Sequence, residues 1–258
     1  MGSRSSHLRT KVVALLVSLV ALWAFAAWVT LRDGLNLLWV STYDTQISQP
    51  LEPLLLELQV ERRLSAIYLA KPGSQQREAL DGNRHRTEAL AAEFKKSAQG
   101  WQARLAGSAE LNQRIDELAV GLDRLPETRA AIDARTIDRV AAAKAFTEVL
   151  DSVFRVFDSL GNLDEADIAQ DTATLIQLNR VRELASQEDA LLAGALAANK
   201  LTAVEHSQFV QLVGAQRFLA SEAAARMPDA DRKRYDAMVA GAAFSRFQDF
   251  EDRVIKDG

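Results

Sequence analysis

An arginine interrupts an apolar stripe in the segment Leu51–Ala70. Three leucines, Leu51, Leu55 and Leu58, recur there at the spacing of a helix, and the same spacing then reaches Arg62. A guanidinium stays charged and carries five donors in a planar fork. If it faces the interior, it requires a carboxylate or a bound anion as its partner. If it lies at the edge of the stripe, its head reaches water, and periodicity alone favours this second interpretation.

A second helical stripe also contains charged residues. Its members follow one another in steps of three and four: Leu175, Leu178, Arg182, Ala185, Asp189, Leu192 and Leu196. Glu188 falls directly beside this stripe. One interpretation is a salt-bridged interior, in which Arg62 pairs with Asp189 or Glu188. The other is a pocket in a helical bundle where these groups meet a small charged molecule. Spacing alone favours the salt-bridged interior and leaves the pocket open.

Several kinds of site are missing from the sequence. It has no cysteine, so thiol catalysis, disulfides and cysteine-based zinc sites are excluded. It has no phosphate-binding GxxxxGK[ST] loop, no GxGxxG after a strand, no HExxH and no GxSxG. We therefore predict no catalytic residue, no metal and no cofactor, and expect this segment not to be an enzyme.

The charge distribution argues against nucleic acid as a partner. The 258-residue chain carries a net charge of −4. Arg4, Arg9 and Lys11 contribute +3 of this, so the remainder carries about −7. No stripe of basic residues with interleaved aromatics occurs in it, and nucleic-acid binding is not predicted.

The N-terminal region predicts a membrane anchor. Val12–Leu31 is uncharged and long enough to cross a bilayer as one helix. Basic residues precede it, so residues 1–11 are expected in the cytoplasm and the bulk of the chain outside a bacterial cell membrane. The alternative is a signal peptide cleaved after Ala24-Phe25-Ala26. The apolar run continues beyond that site, which favours the uncleaved anchor.

The remaining chain predicts an all-α protein. It is poor in glycine and proline and has only short β-branched runs. After a helical juxtamembrane segment at residues 32–50, about eight helices are expected in residues 51–256, arranged in one or two antiparallel bundles. Breaks are predicted at Pro72-Gly73, Leu125-Pro126, Gly161-Asn162 and Pro228, and a capping box at Thr202–Glu205.

Two motifs resemble a known family. Leu56–Ser65, LELQVERRLS, resembles the LQxERGLS signature of the nitrate- and nitrite-sensing domain of bacterial sensor proteins. Arg182–Ala197 resembles that domain's second signature, which usually reads QERA before small and apolar residues, and Phe209–Leu219 fits the segment that follows. The likeness covers Leu51 to Val254. It is similar to the version in actinobacterial sensor histidine kinases and conservon kinase-like receptors.

The resemblance implies tandem helical bundles with an anion held by arginines. Arg62 matches the arginine of the first signature, which favours an inward position. Asp189 stands where the family usually has arginine, and Arg63 stands where it has glycine. An arginine facing an aspartate is already neutralised, so this departure puts nitrate itself in question. The candidate ligand-binding residues, with Arg246 as a further replacement cation, are Gln59, Arg62, Arg63, Arg182, Glu188, Asp189 and Arg253.

These features together predict a sensory region. We expect the extracytoplasmic part of a membrane-bound signalling receptor, such as a sensor histidine kinase cut before its second span and its kinase domain. Its ligand is a small anion or other charged molecule, and a homodimer is expected. The downstream signalling protein is not specified by the sequence. The alternative is a ligand-free, membrane-anchored interaction module in which Arg62 and Asp189 form a fixed pair.

Overall fold

The computed structural model describes residues 44–98, 100, 108–160 and 166–257. Within those ranges the chain is all-helical, as predicted, with a π-helical turn at Asp44–Ser48 and nine α-helices. The helices are α1 (Gln49–Ala70), α2 (Ser74–Ala98), α3 (Ala109–Asp123), α4 (Leu125–Asp133), α5 (Arg139–Leu160), α6 (Ala166–Ala197), α7 (Ala203–Arg226), α8 (Asp229–Val239) and α9 (Ala242–Asp257).

The N-terminal predictions fall mostly outside this part of the chain. The predicted tail, the predicted span at 12–31 and residues 32–43 of the juxtamembrane segment lie outside the described residues. None of the helices between residues 44 and 257 that the structure describes is long and apolar enough to cross a membrane.

The helix ends follow the local sequence signals. Thr202 and Glu205 form the predicted capping box, in which each side chain binds the backbone N–H of the other residue. The Ser108 hydroxyl accepts the backbone N–H of Leu111 at the start of α3. Breaks occur after α1, before α4 and at Pro228, as predicted. The predicted cap at residues 161–162 lies outside the described residues.

Helix α1 is the centre of the fold. It packs against α2, α5 and α6, while α3 packs on α5 and α7 packs on α6. The large apolar core lies among α1–α5 and includes Leu55, Leu58, Phe94, Ile115, Phe146 and Phe154. α6 and α7 therefore cover a side of α1 that the main leucine core leaves open, and this is where the charged residues of α1 meet α6.

The stripe predicted on α6 is not its buried face: Leu178, Ala185 and Leu192 are half-buried, and the other four members are exposed. Leu175, Arg182, Asp189 and Leu196 are exposed, with Leu196 exposed to 76%. The buried face of α6 carries small and polar residues instead: Thr174, Glu183, Glu188, Ala190, Gly194 and Ala195. Small side chains allow α6 to approach α1 closely, so contact with α1 does not coincide with the leucine pattern from which the face was predicted.

Gly194 lies where α6 approaches both α1 and α5 closely. A Cβ added there would lie 3.2 Å from the Cβ of Ala66 on α1 and 3.2 Å from the Cδ of Arg139 on α5. Three helices therefore converge at a position that accommodates no side chain without a shift.

Candidate functional site

Arg62 is buried in the interior, with 1% of its surface exposed. The interpretation that its head reaches water is therefore wrong. The predicted partners Asp189 and Glu188 are also wrong, because the guanidinium binds Glu183 on α6. Nη1 donates to Oε1 at 2.5 Å and Nη2 donates to Oε2 at 3.2 Å. This is a two-point pair, the geometry for which a guanidinium is suited.

The surrounding polar groups complete the pair. Nη1 of Arg62 also donates to the Thr147 hydroxyl on α5 at 3.1 Å, and Nη2 donates to the Ser186 hydroxyl at 3.0 Å. Glu183 accepts further hydrogen bonds from the amides of Gln59, at 2.6 Å, and Gln187, at 3.0 Å. Such a network offsets part of the desolvation cost of two buried charges.

One N–H donor of Arg62 has no acceptor among the described residues. This donor is the Nε–H, which is buried. Arg62 also lines a cavity of about 20 Å³ between α1, α5, α6 and α7. A volume of this size holds roughly one water molecule. A larger guest requires a side chain to move.

A second guanidinium lines the same cavity. Arg139, at the start of α5, donates from Nη1 to the carbonyl oxygen of Gly194 at 2.6 Å. Its Nη2 lies 2.7 Å from Oε1 of Glu205, the capping-box residue of α7. Arg139 thus joins α5 to the C-terminal part of α6 and the first turn of α7. Each of the two arginines at the cavity has a carboxylate partner.

The predicted site residues divide into two groups. Gln59 and Arg62 come together at Glu183. Arg63 and Asp189 pair with each other outside this cavity, Nε to Oδ2 at 2.8 Å, with side chains 45% and 59% exposed. The two positions at which the sequence departs from the motifs it resembles are therefore ion-pair partners, and their charges compensate one another.

The remaining predicted residues lie away from the Arg62 cavity. Arg182, Arg246 and Arg253 are exposed and do not line it. Glu188 is buried but lies near Glu251 of α9. Burial, and then the charge of Glu251, raise the pKa of Glu188 to about 8.

Three residues at this site were not predicted from the sequence: Glu183, Arg139 and Thr147. Glu183 does carry a signal: Gln187, Ala190 and Gly194 follow it in steps of four, three and four, so a carboxylate begins a stripe of small residues. Arg139 lies in a polar context at the first residue of α5 and carries no such signal.

A second buried ion cluster flanks the first on α1. Glu61, 0% exposed, accepts from Arg129 of α4, Nε to Oε1 at 2.7 Å and Nη2 to Oε2 at 2.9 Å. Arg84 of α2 lies 3.7 Å from the same carboxylate. Neighbouring residues of α1 can both be buried because helices surround it on several sides.

The comparisons with known proteins agree with this architecture. The family of nitrate and nitrite sensing domains matches residues 53–258. The structure of the NasR transcription antiterminator is similar, with a TM-score of 0.70, 20% sequence identity, and coverage of 84% of this chain and 59% of that one. This chain therefore spans about three fifths of the NasR chain, and at that identity the likeness shows the fold alone. A comparison with curated proteins finds no match. The family match covers most of the sequence, so the chain belongs to the nitrate and nitrite sensing family, as its motifs indicated.

Proposed function

We propose that this member of the nitrate and nitrite sensing family binds a small anion at the Arg62 cavity and acts by binding rather than by catalysis. One observation carries the proposal: Arg62, which is 1% exposed, lines a cavity together with a second arginine, Arg139. Two arginines can hold a small oxyanion from two sides with charge-assisted hydrogen bonds. Arg139, from α5, takes the place of the cation that the family pattern has at position 189.

The carboxylates at the cavity suggest how binding is transmitted. Glu183 occupies the guanidinium of Arg62 in the structure, so an anion competes with it for the same donors. A ligand shifts a conformational equilibrium only through a difference in affinity between the two states. We propose that anion binding selects a state in which Glu183 leaves Arg62, which moves α6 relative to α1.

The proposed setting is a membrane-bound receptor. The uncharged run Val12–Leu31 and the basic residues before it support an N-terminal anchor, with the helical domain outside the bacterial cell. We propose that α1 passes the movement toward this anchor and that a downstream signalling protein, such as a histidine kinase region, receives it. A homodimer would give two such units side by side.

A second function is favoured by a separate observation. The Nη groups of Arg62 are already satisfied by Glu183, Thr147 and Ser186. In that case the pair fixes the register of α1 and α6 and binds no ligand, and the chain is a membrane-anchored interaction module. Buried ion pairs can serve specificity in this way.

Calorimetric titration separates the two functions. The full chain in detergent micelles is titrated with sodium nitrate and sodium nitrite, with sodium chloride as the reference. Under the sensor proposal nitrate or nitrite binds, and Arg62→Lys weakens binding at least tenfold because a lysine cannot form the planar two-point contact. Arg63→Lys, at the exposed pair, is the matched control and keeps the affinity. Absence of binding by both anions to a folded wild-type chain would favour the interaction module.

A further inference from the structure

A second cavity lies on the other side of α6, where α7 and α9 pack against it. Its volume is about 250 Å³, and three phenylalanines line it: Phe209, Phe247 and Phe250. A cavity of about 150 Å³ is enough to hold benzene. This one therefore has room for an aromatic ring with a short side chain, which the Arg62 cavity does not.

Two buried carboxyl groups line the same cavity. Glu188 of α6 is 2% exposed and Glu251 of α9 is 1% exposed. Neither oxygen of Glu188 has a hydrogen-bond partner in the described part of the chain, and Oε1 of Glu251 has none either. A buried ionised carboxylate without a donor is costly, so this arrangement calls for a proton or a cation.

The neighbouring cations are already engaged. Arg217 of α7 donates to Oε2 of Glu251 at 2.8 Å and to Asp252 at 2.7 Å. Arg63, which also lines the cavity, is paired with Asp189. The negative charge that lacks a cation at this cavity is therefore that of the Glu188 carboxyl when it is ionised.

We propose that this cavity binds a small organic cation, an ammonium group attached to an aromatic or apolar body. The ammonium supplies donors to the free oxygens of Glu188 and Glu251, and the apolar body packs on the phenylalanines, whose faces also attract cations. A divalent metal fits poorly, because calcium and magnesium require about six oxygen ligands and this cavity is lined mainly by carbon. Among the described residues no group of three or more metal-ligating side chains occurs.

The proposal predicts how the affinity for the cation depends on pH. Glu188 faces Glu251 from α9 and Arg217 from α7, with the paired Arg63 and Asp189 on the other wall. Burial and Glu251 raise its pKa to about 8, and Arg217 opposes this only in part. The cation therefore replaces a proton at neutral pH. Its affinity should rise about tenfold per pH unit up to pH 8 and level off above.

The test uses 2-phenylethylammonium chloride as the probe and the neutral 2-phenylethanol as its analogue. Both are titrated into the full chain in micelles by calorimetry at pH 6, 7 and 8. We expect the ammonium to bind with affinity that rises about tenfold from pH 6 to pH 7, and to release close to one proton. The alcohol should bind more weakly and without dependence on pH. Nitrate should not compete, because the anion site uses different residues.

The variant Glu188→Gln removes the charge and keeps the shape. It should weaken the ammonium at least tenfold and leave the alcohol unchanged, while Glu148→Gln, on the exposed surface of α5 and outside this cavity, changes ammonium affinity less than twofold. Equal binding of the ammonium to Glu188→Gln would overturn the proposal. So would a wild-type chain that binds the alcohol as well as the ammonium, or binds neither. The pH series on the wild type decides the matter even if the variant does not fold.

Discussion

Arg62 and Glu183 form a two-point ion pair between α1 and α6, with side chains 1% and 5% exposed. The pair lies where the leucine core of α1–α5 ends and the smaller residues of α6 begin. The pair therefore joins α1 to α6, and its carboxylate also occupies the donors of the proposed anion site. Each of these two roles leads to its own prediction.

Arg62→Ala should destabilise the protein strongly. The substitution leaves the Glu183 carboxylate buried without its cation, which costs about 3–5 kcal/mol for pairs of this kind. Urea unfolding followed by circular dichroism measures the loss. Arg63→Ala is the matched control one residue along α1, because its exposed pair with Asp189 contributes roughly 0–1 kcal/mol. Equal losses in the two variants would contradict the buried position of Arg62.

The stripe on α1 left the inward position of Arg62 open until the family resemblance favoured it, and its partner could not be predicted from α6. On α1 the residues around it are leucines on a regular stripe, so large apolar side chains mark the buried face. On α6 the buried face carries Ala190 and Gly194, which hydrophobic periodicity weights weakly. Of the leucines in the predicted stripe, two are exposed, Leu175 and Leu196, and two are half-buried, Leu178 and Leu192. For this reason Asp189 was predicted as a partner of Arg62, whereas the actual partner is Glu183.

The family motif indicated features of the site that helical periodicity did not. It pointed to Arg62 as an inward-facing residue and to a departure at Asp189, and the match over residues 53–258 confirms the family itself. It gave no indication that Arg63 and Asp189 would pair at the surface, because a motif records residue types and not the directions in which a helix presents them. Arg139 is distant in sequence and belongs to neither signature.

Glu183→Gln should strengthen anion binding. The glutamine keeps the shape of the side chain but removes the negative charge that competes for Arg62. We expect nitrate or nitrite to bind at least tenfold more tightly, equivalent to about 1.4 kcal/mol. Calorimetric titration of the full chain measures the change. Glu148→Gln on exposed α5 surface controls for general loss of negative charge. Weaker anion binding in Glu183→Gln would show that the carboxylate supports the site instead of blocking it.

Gly194→Ala should destabilise the contact between α1 and α6. Glycine inside a helix normally costs about 0.5–1 kcal/mol relative to alanine, so the replacement is favourable where space exists. At Gly194 the new Cβ would lie 3.2 Å from the Cβ of Ala66, and both atoms are attached directly to helix backbones. The two helices must separate slightly, which weakens the hydrogen bond from Arg139 to the Gly194 carbonyl.

Gly214→Ala is the control for this substitution. Gly214 lies inside α7, and a Cβ there would meet nothing within 4 Å. It should gain the usual ~0.5–1 kcal/mol, while Gly194→Ala should unfold at a lower urea concentration than the wild type. A similar gain in both variants would mean that α1 and α6 adjust without cost.

The buried carboxyl on the far side of α6 should make stability depend on pH. The pKa of Glu188 is about 8 in the folded chain, against 4.5 for an ordinary glutamate, chiefly because of burial. Between these values the folded state holds a proton that the unfolded state has released. Stability therefore falls as pH rises from about 5 to 8, with a slope approaching ~1.4 kcal/mol per pH unit, and is level above.

The comparison with Glu188→Gln isolates this effect from every other titrating group. A glutamine has no proton to lose, so the difference in unfolding free energy between variant and wild type should grow steadily from pH 5 to pH 8 in favour of the variant. Urea unfolding at pH 5, 6, 7 and 8 measures it. Asp189→Asn, one residue along and exposed, is the control for removal of a neighbouring carboxylate. A constant difference for Glu188→Gln would mean that the carboxyl is ionised in the folded protein throughout. Its charge would then be balanced by a cation of the chain itself, and the cavity between α6, α7 and α9 would not require a bound organic cation.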